Sequence, residues 1–145
     1  MKKFFFLLLI GSYSIHSFAA DQLNGTVWRT IDDETNQAKA IVKFSEDQTG
    51  GLSATIEKIL VPSEANACLK CEGTYKNKSL VGVVIVKNLT KTSKNKYENG
   101  SILDPKTGKT YSFNATLSPD GKKLSGRGYI GFSALGRNQT WYRIK

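Results

Sequence analysis

Apolar and polar residues alternate along most of the chain. In "KTYSFNATL", Lys109 to Leu117, the residues Tyr111, Phe113, Ala115 and Leu117 share one face. Thr110, Ser112, Asn114 and Thr116 share the other, the period of two of a half-buried strand. "KAIVKF" sets Ala40, Val42 and Phe44 against Lys39 and Lys43. "LSATIEKIL" aligns Leu52, Ala54 and Ile56, then slips near Lys58, where a bulge is expected. "VGVVIVKNL" from Val81 is almost continuously apolar, which predicts a strand covered on both faces. "NQTWYRI" puts Trp141 and Tyr142 on opposite faces.

Turn chemistry punctuates these runs. "DDETN", "DQTGG", "ENG" (Glu98 to Gly100), "DPKTG" (Asp104 to Gly108) and "SPDG" each carry it. Short strands at such spacing predict an antiparallel meander. About eight strands are expected, enough for a closed barrel or a sandwich. No stretch after residue 20 shows helical periodicity, and Pro62 to Ser79 reads as a long loop. The fold class is therefore all-β, a single domain over residues 20–145.

Residues 1–19 read differently. Lys2 and Lys3 precede an apolar run, Phe4 to Ile10, and Ser17-Phe18-Ala19 offers small residues where a signal peptidase cuts. The run is well short of the roughly 20 residues of a membrane span. A signal peptide cleaved after Ala19 is expected, with the protein in the periplasm or secreted. The strands also oppose a membrane barrel, because Lys39, Lys43, Thr110, Ser112 and Asn114 face away from the apolar side. The protein is not expected to be integral to a membrane.

Composition narrows the chemistry. The single histidine is His16, inside the leader. The remaining chain lacks the usual general base near neutral pH and the commonest metal ligand. Ser-His-Asp and Cys-His catalysis are excluded with it. No enzyme activity, cofactor or metal is expected. Removing Lys2 and Lys3 from the 21 basic residues leaves 19 against 12 acidic ones, a net charge of +7. The charge is spread over the chain, which favours attraction to anionic surfaces rather than nucleic-acid binding.

"DPKTGKTY" contains the Gly-Lys-Thr of a phosphate loop. Such a loop needs a glycine five residues before Gly108, where Leu103 stands, and a helix after it. A strand follows instead, so a tight turn is expected. Asp104 would bond back to the turn and Gly108 would take a left-handed conformation. "CLKC", Cys68 to Cys71, has the spacing of a redox dithiol or half a zinc site. No further zinc ligands accompany it, and its loop surroundings in an oxidising compartment favour a structural disulfide. Closing so short a ring contributes at most about 2 kcal/mol on the entropic model.

Four blocks together carry a resemblance: "NGTVWRTIDDETNQAKAIVKF", "CLKCEG", "NGSILDPKTGKTYSFNATL" and "LSGRGYIGFSALGRNQTWYR". They resemble a family of small exported bacterial proteins classed as a domain of unknown function. The resemblance implies a lipocalin-like or fatty-acid-binding-protein-like barrel. Gly25, Trp28 and Arg143 are similar to the lipocalin arrangement of a first-strand tryptophan beneath a last-strand basic residue, although Thr26 and Val27 both intervene.

Two functions fit. One is a binder of a small apolar or amphipathic molecule, with Trp28, Val42, Phe44, Ile56, Tyr111, Phe113, Tyr129 and Trp141 as candidate lining. The same residues at the same spacing also make a filled core. The other is a cell-envelope interaction protein whose basic surface meets anionic lipid, lipopolysaccharide or a protein. "YIGFSALGRNQTW" is then a mobile apolar loop at the mouth, a lid, or a bend tucked beneath the barrel.

Overall fold

The computed structural model describes residues 11–61, 67–132 and 134–145. Most of the apolar leader and the start of the expected loop after Val61 lie outside them. Residues 11–20 are exposed and have no regular structure. Eight strands follow: β1 (Val27–Ile31), β2 (Ala38–Glu46), β3 (Leu52–Ile59), β4 (Val84–Ser93), β5 (Lys96–Leu103), β6 (Thr110–Leu117), β7 (Lys123–Tyr129) and β8 (Gly136–Arg143). Each pairs with its sequence neighbour, and β8 returns to β1, closing an antiparallel meander barrel. Closure leaves no free sheet edge.

The inward faces follow the alternation. Ala40, Val42 and Phe44 on β2, Leu52, Ala54 and Ile56 on β3, and Phe113, Ala115 and Leu117 on β6 are all buried. The slip on β3 is a bulge at Glu57, because Val42 pairs with Ile56 while Ile41 pairs with Lys58. An extra residue there keeps Ile59 packed on the core.

Two expectations give way. "ENG" is not a turn but lies inside β5, where Asn99 has φ 62° and the register to β6 shifts between Tyr97 and Gly100. The hairpin turn before it is Lys94–Asn95, with Asn95 at φ 63°. A bulge and a turn use the same Asn-Gly chemistry, so residue type alone does not separate them. The apolar run at Val81 is not one doubly covered strand. It begins in a turn, with Val81 exposed, and the strand starts at Val84. Register shifts against β3 then bring both Ile85 and Val86 into the core, which breaks the strict alternation.

Asx-type turns close several hairpins. Asp32 accepts from the backbone N–H groups of Glu34 and Thr35, Asp47 from those of Thr49 and Gly51, and Asp120 from that of Lys122. These bonds hold the carboxylates below the usual range: the Thr35 amide does most for Asp32, the Thr49 hydroxyl for Asp47 and the Ser118 hydroxyl for Asp120.

The lower end of the barrel is sealed by residues 21–25. The Gly25 N–H donates to the Phe44 carbonyl (2.9 Å), and Thr26 accepts from the Trp28 indole (2.7 Å). The Tyr97 hydroxyl donates to Asp21 Oδ1 (3.0 Å) and accepts from Gln22 (3.2 Å), while Lys91 pairs with Asp21 at 3.5 Å. Burial first, then the hydrogen bond to Asp21 and the Asp21 charge, push the Tyr97 phenol well above its usual pKa, against the Gln22 hydrogen bond that lowers it.

These groups set the pH profile of stability. The depressed carboxylates contribute fully above about pH 4, and their contribution is lost as pH falls through their lowered values. Tyr97 acts at the other limb: its contribution is complete below about pH 10 and lost as pH rises beyond it. Urea midpoints from pH 2 to pH 11 should therefore fall at both extremes. Tyr97→Phe should flatten only the alkaline limb, and Asp32→Asn/Asp47→Asn/Asp120→Asn only the acid one. Unchanged limbs in both variants would refute the assignment.

Candidate functional site: a cavity at the open end of the barrel

The interior divides into two halves. The lower half is filled: Trp28, Val42, Phe44 and Phe113 are fully buried there and do not border the cavity above. These four sequence-expected lining residues face inward but serve as floor packing. Phe44 and Phe113 flank Trp141, with ring centres 6.1 and 5.9 Å from it, the second pair stacked at 26°. Such pairs add about 0.5–1.5 kcal/mol each beyond the area they bury.

Above Trp141 the barrel opens into a cavity of about 1100 Å³. It lies where β1, β3, β5 and β7 end and β2, β4, β6 and β8 begin. Ile56, Ile59, Leu80, Ile85, Ile102 and Trp141 contribute apolar wall, with Tyr111 half-buried among them. Ile56, Tyr111, Tyr129 and Trp141 are thus the expected residues that the fold places on the cavity.

Tyr129, the last residue of β7, also borders the cavity at its mouth, and its hydroxyl accepts from Asn114 (3.4 Å). Gly126 is glycine for a steric reason: a Cβ there would lie 2.5 Å from the Phe113 ring. Reading large residues as lining passes over positions kept empty for a neighbour.

Polar groups on the wall are few. The Trp141 indole N–H donates to Gln139 Oε1 (3.1 Å). An indole nitrogen only donates, so the Gln139 oxygen must face it, and the amide nitrogen is left as a donor on the cavity wall. Thr30 is occupied by the Ala40 backbone, donating to its carbonyl and accepting from its N–H. Sequence reading missed Gln139 because a polar residue beside Asn138 and Thr140 gives no alternation signal.

Charges gather at the rim and balance. Asp32, Asp33, Glu34 and Asp104 face Lys39, Lys70, Lys106 and Arg137. Arg137 grips both oxygens of Asp33 (2.6 and 3.1 Å) and reaches Glu34 at 3.2 Å, tying the β1–β2 loop to β8. These contacts raise the Arg137 pKa further above its usual value.

The two cysteines belong to this rim. Cys68 and Cys71 form a disulfide with Cα atoms 5.3 Å apart. The segment around them holds a bridge between Ala67 and Ser79 and a 3₁₀ turn at Gly73–Tyr75. Ala67, Leu69, Lys70 and Leu80 reach the cavity. The segment rests on the Asp104–Gly108 turn, which forms as expected: Asp104 accepts from the Lys106 amide (2.9 Å) and the Thr107 hydroxyl (2.9 Å), and Gly108 has φ 72°. The Cys68 sulfur lies 3.6 Å from the Pro105 carbonyl, and the Lys70 carbonyl fills the space where a Gly108 Cβ would stand.

The β7–β8 loop is not tucked beneath the barrel. It stands at the mouth with Ile130, Phe132 and Leu135 exposed, beside Leu69. Ile130 and Leu135 also border the cavity.

Comparison with known proteins agrees with this architecture. A solved structure described as protein HP1028 from the human pathogen Helicobacter pylori, belonging to the lipocalin family, superposes with a TM-score of 0.73. The match covers 86% of this chain and 84% of that one at 24% identity. No curated protein matches. The model of the DUF2147 family, described as an uncharacterized protein conserved in bacteria, matches residues 26–143, and the chain belongs to that family.

Proposed function

We propose that this protein is an exported carrier that holds one small apolar or amphipathic molecule in the open half of its barrel. The observation that carries the reading is the cavity of about 1100 Å³, walled by aliphatic and aromatic side chains and floored by Trp141. Ligand sites are typically concave and mostly apolar, with a few polar groups that orient the guest. Here the Gln139 amide and the Tyr111 hydroxyl serve as those groups, and Lys70 and Lys106 stand at the mouth for an acidic head. The lipocalin-like architecture supports the same reading. The basic, apolar leader supports export to the periplasm or beyond. The lack of histidine after residue 16 supports binding rather than catalysis.

Native mass spectrometry of protein purified from the cell envelope without detergent tests this. The expected spectrum shows a chain starting at Ala20, two hydrogens light at the cysteines, with a reproducible small-molecule adduct released on denaturation. Tyr111→Glu places a charge on the apolar wall and should weaken lauric acid binding at least about tenfold, since an unpaired charge in an apolar site costs well over 1.4 kcal/mol. Tyr111 is half-buried and borders open space, so the barrel should remain folded. A bare protein that also takes up no lauric acid would overturn the carrier reading.

A further inference from the structure

Basic residues look scattered in the sequence, but the closed end gathers five of them on one outer face. Outward positions of three neighbouring strands align: Arg29 on β1 pairs in register with Tyr142 on β8, and Tyr142 with Lys123 on β7. The Lys123 ammonium stands 5.6 Å from the centre of the Tyr142 ring. Beside this row the β6–β7 turn and the last residues bring in Lys122, Arg143 and Lys145. The Arg143 N–H donates to the Lys122 carbonyl (2.9 Å), and Arg143 Nε donates to the Lys145 carbonyl (3.2 Å). Arg29, Lys122, Tyr142, Arg143, Ile144 and Lys145 line a shallow groove of about 490 Å³.

The charges of this groove are only partly offset locally. Among the described residues, none of the five cations forms an ion pair with an Asp or Glu side chain, while Arg143 Nε meets the main-chain oxygen of Lys145, the last residue of the chain. Asp120 of the adjoining turn, held by the Ser118 hydroxyl and the Lys122 amide, offsets part of the Lys122 charge and leaves the others in excess. The mouth at the other end holds equal numbers of acidic and basic residues. The groove therefore carries an excess of positive charge that the mouth lacks, and such an excess attracts an anion.

Two features define the anion. Several separate cations flank the groove, which suits more than one phosphate rather than a single carboxylate. Between them lie a partly exposed tyrosine ring and the aliphatic side chain of Ile144, 37% and 55% exposed. A flat apolar platform inside a ring of cations fits the face of a sugar, with its phosphates reaching outward. We propose that this groove binds a phosphorylated saccharide, its ring against Tyr142 and its phosphates on Arg29, Lys122, Lys123 and Lys145. The same chemistry is presented by a soluble sugar phosphate and by the phosphorylated sugar headgroup of a lipid. The groove lies at the opposite end from the cavity, so the proposal stands independently of the carrier reading.

The test is a titration of ¹⁵N-labelled protein with glucose 1,6-bisphosphate, glucose and inorganic phosphate, alongside co-sedimentation with lipid A vesicles. Glucose 1,6-bisphosphate should shift the amides of Arg29, Lys122, Lys123 and Tyr142 to Lys145, with affinity falling steeply as salt rises. Lys122→Glu/Lys145→Glu should weaken binding at least about tenfold. Lys94→Glu/Lys96→Glu makes the same charge change at the β4–β5 turn and should weaken it less than about twofold. Tyr142→Ala should weaken the sugar bisphosphate several-fold more than inorganic phosphate. Binding to vesicles without binding of the free sugar assigns the site to a lipid headgroup, and binding of the free sugar assigns it to a soluble ligand. Absence of both, equal loss in the two charge variants, or equal binding of inorganic phosphate and the sugar bisphosphate would overturn the proposal.

Discussion

Replacing Trp141 with alanine is expected to destabilise the barrel by about 3–5 kcal/mol, the range for deleting a large buried aromatic. Trp141 is fully buried and is the side chain shared by the packed floor and the cavity. Its removal deprives Phe44 and Phe113 of their common partner. It also joins the space it leaves to the cavity of about 1100 Å³ above, so the hole does not close by collapse. At a domain of this size the loss corresponds to a drop in Tm of about 10–20 °C. Trp141→Phe keeps a ring in place and should lose roughly half as much. Urea unfolding followed by far-ultraviolet circular dichroism measures both. A loss under about 1 kcal/mol for alanine would show that the floor packs without Trp141.

Gly108→Ala is expected to cost about 2–4 kcal/mol, most of it from the rim rather than the barrel. Two penalties combine. Gly108 has φ 72°, a conformation that costs a non-glycine residue about 1 kcal/mol. The new methyl also meets the Lys70 carbonyl, which is backbone of the disulfide segment and has no rotamer by which to yield. The turn and that segment cannot both keep their places. Amides of Cys68 to Lys70 should then exchange faster, and a bound guest should leave faster, because Leu69, Lys70, Pro105 and Lys106 frame the mouth. Gly131→Ala separates the two penalties. Gly131 has nearly the same φ, 71°, with open space around it, so it should lose only the conformational part. Equal losses at the two glycines, read from thermal melts, would remove the contact with Lys70 from the account.

Both predictions rest on contacts between residues far apart in the chain. Trp141 meets Phe44 and Phe113 across the barrel, and Gly108 meets Lys70 across the mouth. Neither pairing leaves a local trace. The sequence shows Trp141 only as an inward position on a short strand, and Gly108 only as a turn glycine.

Residue order alone settled the meander, the inward faces of β2, β3 and β6, the bulge of β3 and the turn at Asp104–Gly108. Each follows from the two-residue period of a strand or from the conformational limits of one residue, which act within a few positions of the chain. Tertiary structure decided the rest. It divided the candidate set into a filled floor with Trp28, Val42, Phe44 and Phe113 and a cavity border with Ile56, Tyr111, Tyr129 and Trp141. It set the Phe113 ring against Gly126 of β7, where no side chain fits. It brought Arg29, Lys123 and Lys145 to one groove from separate parts of the chain. Alternation specifies which way a side chain points, but whether it meets a partner or empty space depends on residues that only barrel closure brings opposite it.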